Sequence, residues 1–223
     1  MSSDVVIRSY QPSDQAACES LFTDGHLSYG HPQFYITSVV EKDMQNIEEV
    51  YIKHPKSHWW IAVSTEDNSP IGQVALMPLS TGDPSYYRHA PEDERDYICE
   101  LHRMTVSANA QRNGVGSKLI STLFEFAREK GYRQVHLTTL TSMDKACGFY
   151  EKNGFIKGPI DRYVLNENLT FQSIKNIEDF IVNKSTVTRF QLNEIIPDED
   201  LHLMKLSPNK SNRMYAQHYL FNL

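Results

Sequence analysis

Cys99-Glu100-Leu101-His102-Arg103-Met104-Thr105-Val106, then Ser107-Ala108-Asn109-Ala110 and Gln111-Arg112-Asn113-Gly114-Val115-Gly116, is the stretch that decides the fold. An apolar-rich strand gives way to a short polar loop, passes two glycines and enters an amphipathic run that reaches Lys130. Such a strand, loop and helix is a device for holding phosphate. Loop amides and first-turn amides converge on an anion, and the helix dipole favours it there. Lacking a Cβ, Gly114 and Gly116 let a pyrophosphate come close to the main chain. Two better-known phosphate loops are excluded. The nucleoside-triphosphate loop ends in Gly-Lys-Ser/Thr, and the dinucleotide fingerprint needs three glycines with a downstream acid; neither stands here.

Gln111-x-x-Gly114-x-Gly116 resembles the pyrophosphate loop of the GNAT acetyltransferases, Gln/Arg-x-x-Gly-x-Gly/Ala. The resemblance continues, in order and spacing, through Gly131-Tyr132 and the strand Gln134 to Leu140. It ends in Ala146-Cys147-Gly148-Phe149-Tyr150-Glu151-Lys152-Asn153-Gly154-Phe155, which is similar to the family's Ala-x-x-x-Tyr-Glu-Lys-x-Gly-Phe. Within the family the chain looks most like the camello-like group, on Ile7 to Asp14, Lys42 to Ile47 and Glu100 to Val106. Animal members of that group carry a hydrophobic membrane hairpin after the first helix, and no such run stands at that place here. Their membrane location therefore does not carry over, and their acceptors, cysteine conjugates, aspartate or protein lysine, stay open.

The resemblance implies an α/β (α+β) GNAT fold with a mixed, mostly antiparallel, twisted sheet of about seven strands flanked by helices. It also implies acetyl-CoA as co-substrate and acetyl transfer to a primary amine by direct attack in a ternary complex. Two alternatives stand beside a small-molecule acceptor: a protein lysine or N-terminus as acceptor, and a non-catalytic acyl-CoA-binding regulator.

At 223 residues the length suits one α/β domain over 1–223, with the polar stretch 161–197 read as an insertion before the last two strands. Hydrophobic content of 40% supports a packed core, and no apolar run approaches bilayer length. Met1-Ser2-Ser3-Asp4 has neither a basic nor an apolar leader, so the expectation is a cytoplasmic protein, with the nucleus as the alternative. Cys18, Cys99 and Cys147 show no metal spacing and are odd in number, which fits free thiols and no metal. A net charge of −6 argues against a nucleic-acid partner and suits a cationic acceptor mildly. A homodimer is an open alternative, since the C-terminal strands of this fold often pair between subunits.

Val5 to Tyr10 reads as a first strand, and Pro12-Ser13-Asp14 opens a helix through Phe22. Gly25 to Pro32 reads as a loop with His26, Tyr29, Gly30 and His31; in the family this region walls the acceptor pocket, and a plain surface loop is the alternative. Asp43 to Tyr51 has helical spacing, and His58 to Val63 pairs with Ile71 to Met77 as a hairpin. Gly82 to Asp96 is a long polar connection, either a lid or a solvated loop. Helices follow over Ser117 to Lys130 and around Ala146 to Tyr150, with another over Phe171 to Val182. Leu201 to Leu206 and Tyr215 to Phe221 read as the last two strands.

Acetyl transfer needs an amine without its proton, a polarised carbonyl and a thiolate that can leave. Glu100 stands where the resemblance to GNAT histone acetyltransferases places the general base; burial would raise its pKa toward neutrality, and an ion pair with Arg103 is the alternative. Tyr150 matches the family tyrosine that protonates the departing thiolate, with buried packing as the alternative. The main chain of Met104, Thr105 and Val106 would pair with the pantetheine arm, and its amides would polarise the thioester. Gln111, Arg112, Asn113, Gly114, Val115, Gly116 and Ser117 would hold the pyrophosphate. Met143 replaces a common cofactor-contacting Asn. His102 and His136 either assist the base or are satisfied structural histidines.

Overall fold

Two neighbouring strands are buried along most of their length, from Trp59 to Ser64 and from Gly72 to Met77. The structure, a computed structural model, describes residues 5–81, 90–165, 168, 174, 186–206 and 208–223. In chain order the elements are β1 (Val5–Ser9), α1 (Gln15–Ser28), α2 (Gln33–Lys42), β2 (His58–Ser64), β3 (Pro70–Pro78), β4 (Ile98–Val106), α3 (Val115–Glu129), β5 (Gln134–Leu140), α4 (Asp144–Lys152), β6 (Ile156–Val164), β7 (Thr186–Phe190), α5 (Asp198–Leu203) and β8 (Arg213–Asn222). They fall into two compact units. One holds Met1–Gly25, Lys42–His136 and Asn222–Leu223, the other His26–Glu41 and Leu137–Phe221.

In the first unit β1 to β4 form an antiparallel meander in chain order, and β5 begins parallel to β4. The β2–β3 turn is closed by Asn68 at φ 59°, a left-handed position that Asn tolerates better than most residues. α3 buries Val115, Leu119, Ile120, Leu123 and Ala127, an apolar stripe at helical spacing, and Gly131 at φ 81° ends it. α1 does not stop at Gly25, as the loop reading expected, but runs to Ser28. Gly25 is a packing residue: a Cβ there would lie 2.9 Å from Thr105 Cγ2 on β4.

In the second unit β6 lies between β8 and β7, antiparallel to both. Asp161 on β6 ties the three strands together. Its carboxylate accepts both 2.6 Å bonds from the Arg189 guanidinium on β7 and lies 3.0 Å from His218 Nε2 on β8. A second carboxylate, Asp200 on α5, takes Arg162 at 2.8 Å, Arg213 at 3.0 Å and the Tyr215 hydroxyl.

The expected fold class holds, with eight strands among the described residues where about seven were expected. Leu201 to Leu206 is not a strand. Pro197 caps a helix whose first turn is Asp198-Glu199-Asp200, acids that favour a helix N-terminus, and the strand before β8 is β7 instead. The described part of 161–197 includes the end of β6 and all of β7. The helix expected over Phe171 to Val182 lies outside the described residues but for Ile174, as does the connection 82–89.

Candidate active site

Side chains alternate along β4, so Glu100 and His102 share a face, and Glu100 stands beside His136 of β5 in parallel register. The Glu100 carboxylate is 2% exposed and uses both oxygens. Oε1 lies 2.7 Å from His136 Nδ1, and Oε2 lies 3.2 Å from His102 Nε2. Burial pushes the Glu100 pKa up, but the bonds from His102 and His136 outweigh it and hold the carboxyl well below its ordinary range. The expected rise toward neutrality is therefore not found. His136 is wholly buried, whereas the His102 side chain is 18% exposed.

One residue further on, β4 breaks its pairing with β3. Ala75 pairs with His102 and Gln73 with Thr105, so Arg103 and Met104 oppose Val74 alone, a bulge. Arg103 sits there at φ 55°, a conformation costly for a side chain of its size. Its guanidinium is what holds it: it donates to Asp43 at 2.6 and 3.3 Å and lies 5.7 Å over the Phe22 ring. Asp43 also takes the Tyr51 hydroxyl at 2.9 Å. Sequence reasoning missed Asp43, because nothing local marks a partner so far along the chain. Within the first unit β5 pairs with β4 from Ile98↔Gln134 to Glu100↔His136, and Met104, Thr105 and Val106 form the far end of β4.

Beyond β4 the loop turns tightly. The Ser107 carbonyl accepts from the amides of Ala110 and Gln111, and the Gln111 side-chain amide donates to the Val106 carbonyl at 3.1 Å. Arg112 and Gly114 have φ of 67° and 77°. The Lys118 amide donates to the Gly114 carbonyl at 3.0 Å, so helix geometry itself gives the amides of Val115, Gly116 and Ser117 no partner. Open space surrounds the place of a Gly114 Cβ, so this glycine is required by its backbone angle. Gly114→Ala is expected to cost about 1 kcal/mol in urea unfolding. If these amides hold the diphosphate of acetyl-CoA, as the resemblance implies, the same change raises the KM for acetyl-CoA several-fold by re-aiming them; an unchanged KM would mean that they hold no phosphate.

In the second unit Tyr150, 7% exposed on α4, packs against Phe155 at 5.6 Å and Tyr219 at 5.9 Å between ring centroids. Burial pushes its phenol pKa well up, with smaller contributions from Cys147 and Tyr29. The hydroxyl thus keeps its proton at neutral pH. Met143 caps α4, and its sulfur takes the Thr139 hydroxyl at 3.5 Å rather than offering an amide side chain. His26, at the end of α1, and His31 face each other through Nδ1 atoms 2.6 Å apart, with Tyr35 against both rings. Burial pushes the His31 pKa down to about 4.

The model of the acetyltransferase (GNAT) family matches residues 20–155, more than half of the chain. The chain belongs to the GNAT acetyltransferase family. A probable N-acetyltransferase camello of Xenopus laevis is 29% identical over 142 residues, 63% of this chain and 58% of that protein. The N-acetylaspartate synthetase of Rattus norvegicus is 33% identical over 132 residues, 59% of this chain and 39% of its own length. The chain thus spans about half the length of the curated relatives it matches. The solved structure of a GNAT-family acetyltransferase from Staphylococcus aureus Mu50 superimposes with a TM-score of 0.58 at 16% identity, over 99% of both chains, and shares the GNAT fold. No helix among the described residues is long and apolar enough to cross a membrane.

Proposed function

We propose that the protein transfers an acetyl group from acetyl-CoA to a primary amine, by direct attack in a ternary complex. The observation that supports this most is the Gln111 to Ser117 segment, where a left-handed glycine opens a helix whose first amides are unspent by the helix. Those groups suit a diphosphate, and the main chain from Met104 to Val106, at the end of β4 beside the bulge, suits the amide-bearing pantetheine arm. Coenzyme A, when bound, supplies the activated thioester. The chain's own part is to orient it, to take a proton from the amine at the Glu100 centre of β4, and to deliver one from Tyr150 to the leaving sulfur.

Of the relatives named above, the N-acetylaspartate synthetase is the one whose name states a product, and it favours an amino-acid-like acceptor such as aspartate. Release of free thiol, followed with acetyl-CoA and L-aspartate, S-benzyl-L-cysteine or a lysine peptide, tests the reading. Release with a small amine is the expected result; release with the peptide alone would make this a protein acetyltransferase. Calorimetric binding of acetyl-CoA without release would make it an acyl-CoA-binding protein, and neither heat nor release would end the proposal.

A further inference from the structure

Both oxygens of the buried Glu100 carboxylate are already engaged. Both carboxylate oxygens face imidazole nitrogens, at 2.7 Å to His136 and 3.2 Å to His102, and the side chain is buried. An ionised carboxylate only accepts hydrogen bonds, so each facing nitrogen must carry a proton. For His102 this settles the tautomer: the proton of the neutral ring sits on Nε2, and the lone pair is left on Nδ1. That Nδ1 is buried and has no hydrogen-bond partner among the described residues. A basic nitrogen held in one orientation, with a spare and unpartnered lone pair, is what a proton acceptor requires.

We infer that His102 is the general base of the reaction, taking the amine proton on Nδ1, and that Glu100 is a positioning residue that fixes the His102 ring and stabilises its cation. The inference rests on the acetyl-transfer reading above. His136, buried and bonded to the other oxygen, keeps Glu100 in place. Among the described residues of the first unit, Glu100 bonds His102 directly and His136 is linked to it through Glu100; the paired residue on β3 is Ala75, without charge, and the neighbouring Arg103 donates to Asp43.

The protons balance. A substrate ammonium gives one proton to His102 Nδ1, which passes it to solvent. The freed lone pair forms the N–C bond to the acetyl carbon as the C–S bond breaks and its electron pair leaves with sulfur. Sulfur leaves as the thiol with one proton, and the second proton lost by nitrogen makes up for it.

Two measurements on the full chain test this. In ¹⁵N-histidine spectra the neutral His102 ring should be protonated on Nε2, and Glu100→Gln should disturb that assignment; a ring protonated on Nδ1 overturns the inference whatever the activity. With the panel amine that gives the fastest thiol release, His102→Ala should lower kcat by about 100-fold or more. It should also abolish the ionisation on the acid limb of the kcat/KM profile, and added imidazole should restore at least part of the rate. Glu100→Gln should shift that limb rather than erase it. Wild-type release that survives His102→Ala with its pH profile intact removes this inference alone. No release by the wild type with any amine removes the acetyl-transfer reading, and this inference with it.

Discussion

Tyr150→Phe should lower kcat by about 100-fold or more, with the KM for acetyl-CoA and the melting temperature little changed. The substitution removes one oxygen and keeps the ring that lies 5.6 Å from Phe155 and 5.9 Å from Tyr219, so packing on α4 is preserved. On the proposed reading, what is lost is a proton donor. A phenol whose pKa burial has pushed up stays protonated at neutral pH, and on that reading it gives the proton up only as negative charge develops on sulfur. The loss should therefore shrink for an acetyl donor whose thiol leaves more easily. Measuring kcat for acetyl-CoA and for an S-acetyl nitrothiophenol separates the two explanations. A deficit equal for both donors, or a variant that melts early, would make Tyr150 a packing residue.

How much of this was legible depended on the distance between partners in the chain. The β4, loop and α3 segment could be read directly, because Gln111, Gly114 and Gly116 and the stripe from Val115 to Ala127 are all local. The environment of Glu100 could not. His102 is two residues away and visible, but His136 arrives only through the parallel β4–β5 register, and it is the pair of imidazoles that keeps the carboxylate ionised where burial alone would have neutralised it. Arg103 was visible as a cation near Glu100, yet its guanidinium goes to Asp43 across a bulge that no propensity marks. Leu201 to Leu206 misled for the opposite reason: its alternating leucines look like a strand, while the helix start lies just upstream, in Pro197 and the three acids after it.

Asp161→Ala should cost about 3–5 kcal/mol, a fall of roughly 10 °C in melting temperature for a chain of this size. The carboxylate is 1% exposed and is shared by Arg189 and His218, so its removal leaves a guanidinium and an imidazole buried without it, and loosens β6 from both neighbours. The pH dependence follows from the same contacts. Burial pushes the Asp161 pKa up, but Arg189 and His218 more than reverse this and hold the carboxyl below its ordinary value. A folded pKa below the unfolded one, near 3.9, means that the stabilisation is fully present above about pH 5 and drains away as pH falls toward the folded value. Asp161→Asn keeps the shape and removes the titration, so its melting temperature should fall less steeply than that of the wild type below pH 5, from a lower starting point. Melting curves across that range decide it. A loss under about 1 kcal/mol in Asp161→Ala would mean that β6, β7 and β8 are held by their ladders and apolar faces, with the buried charges contributing orientation alone.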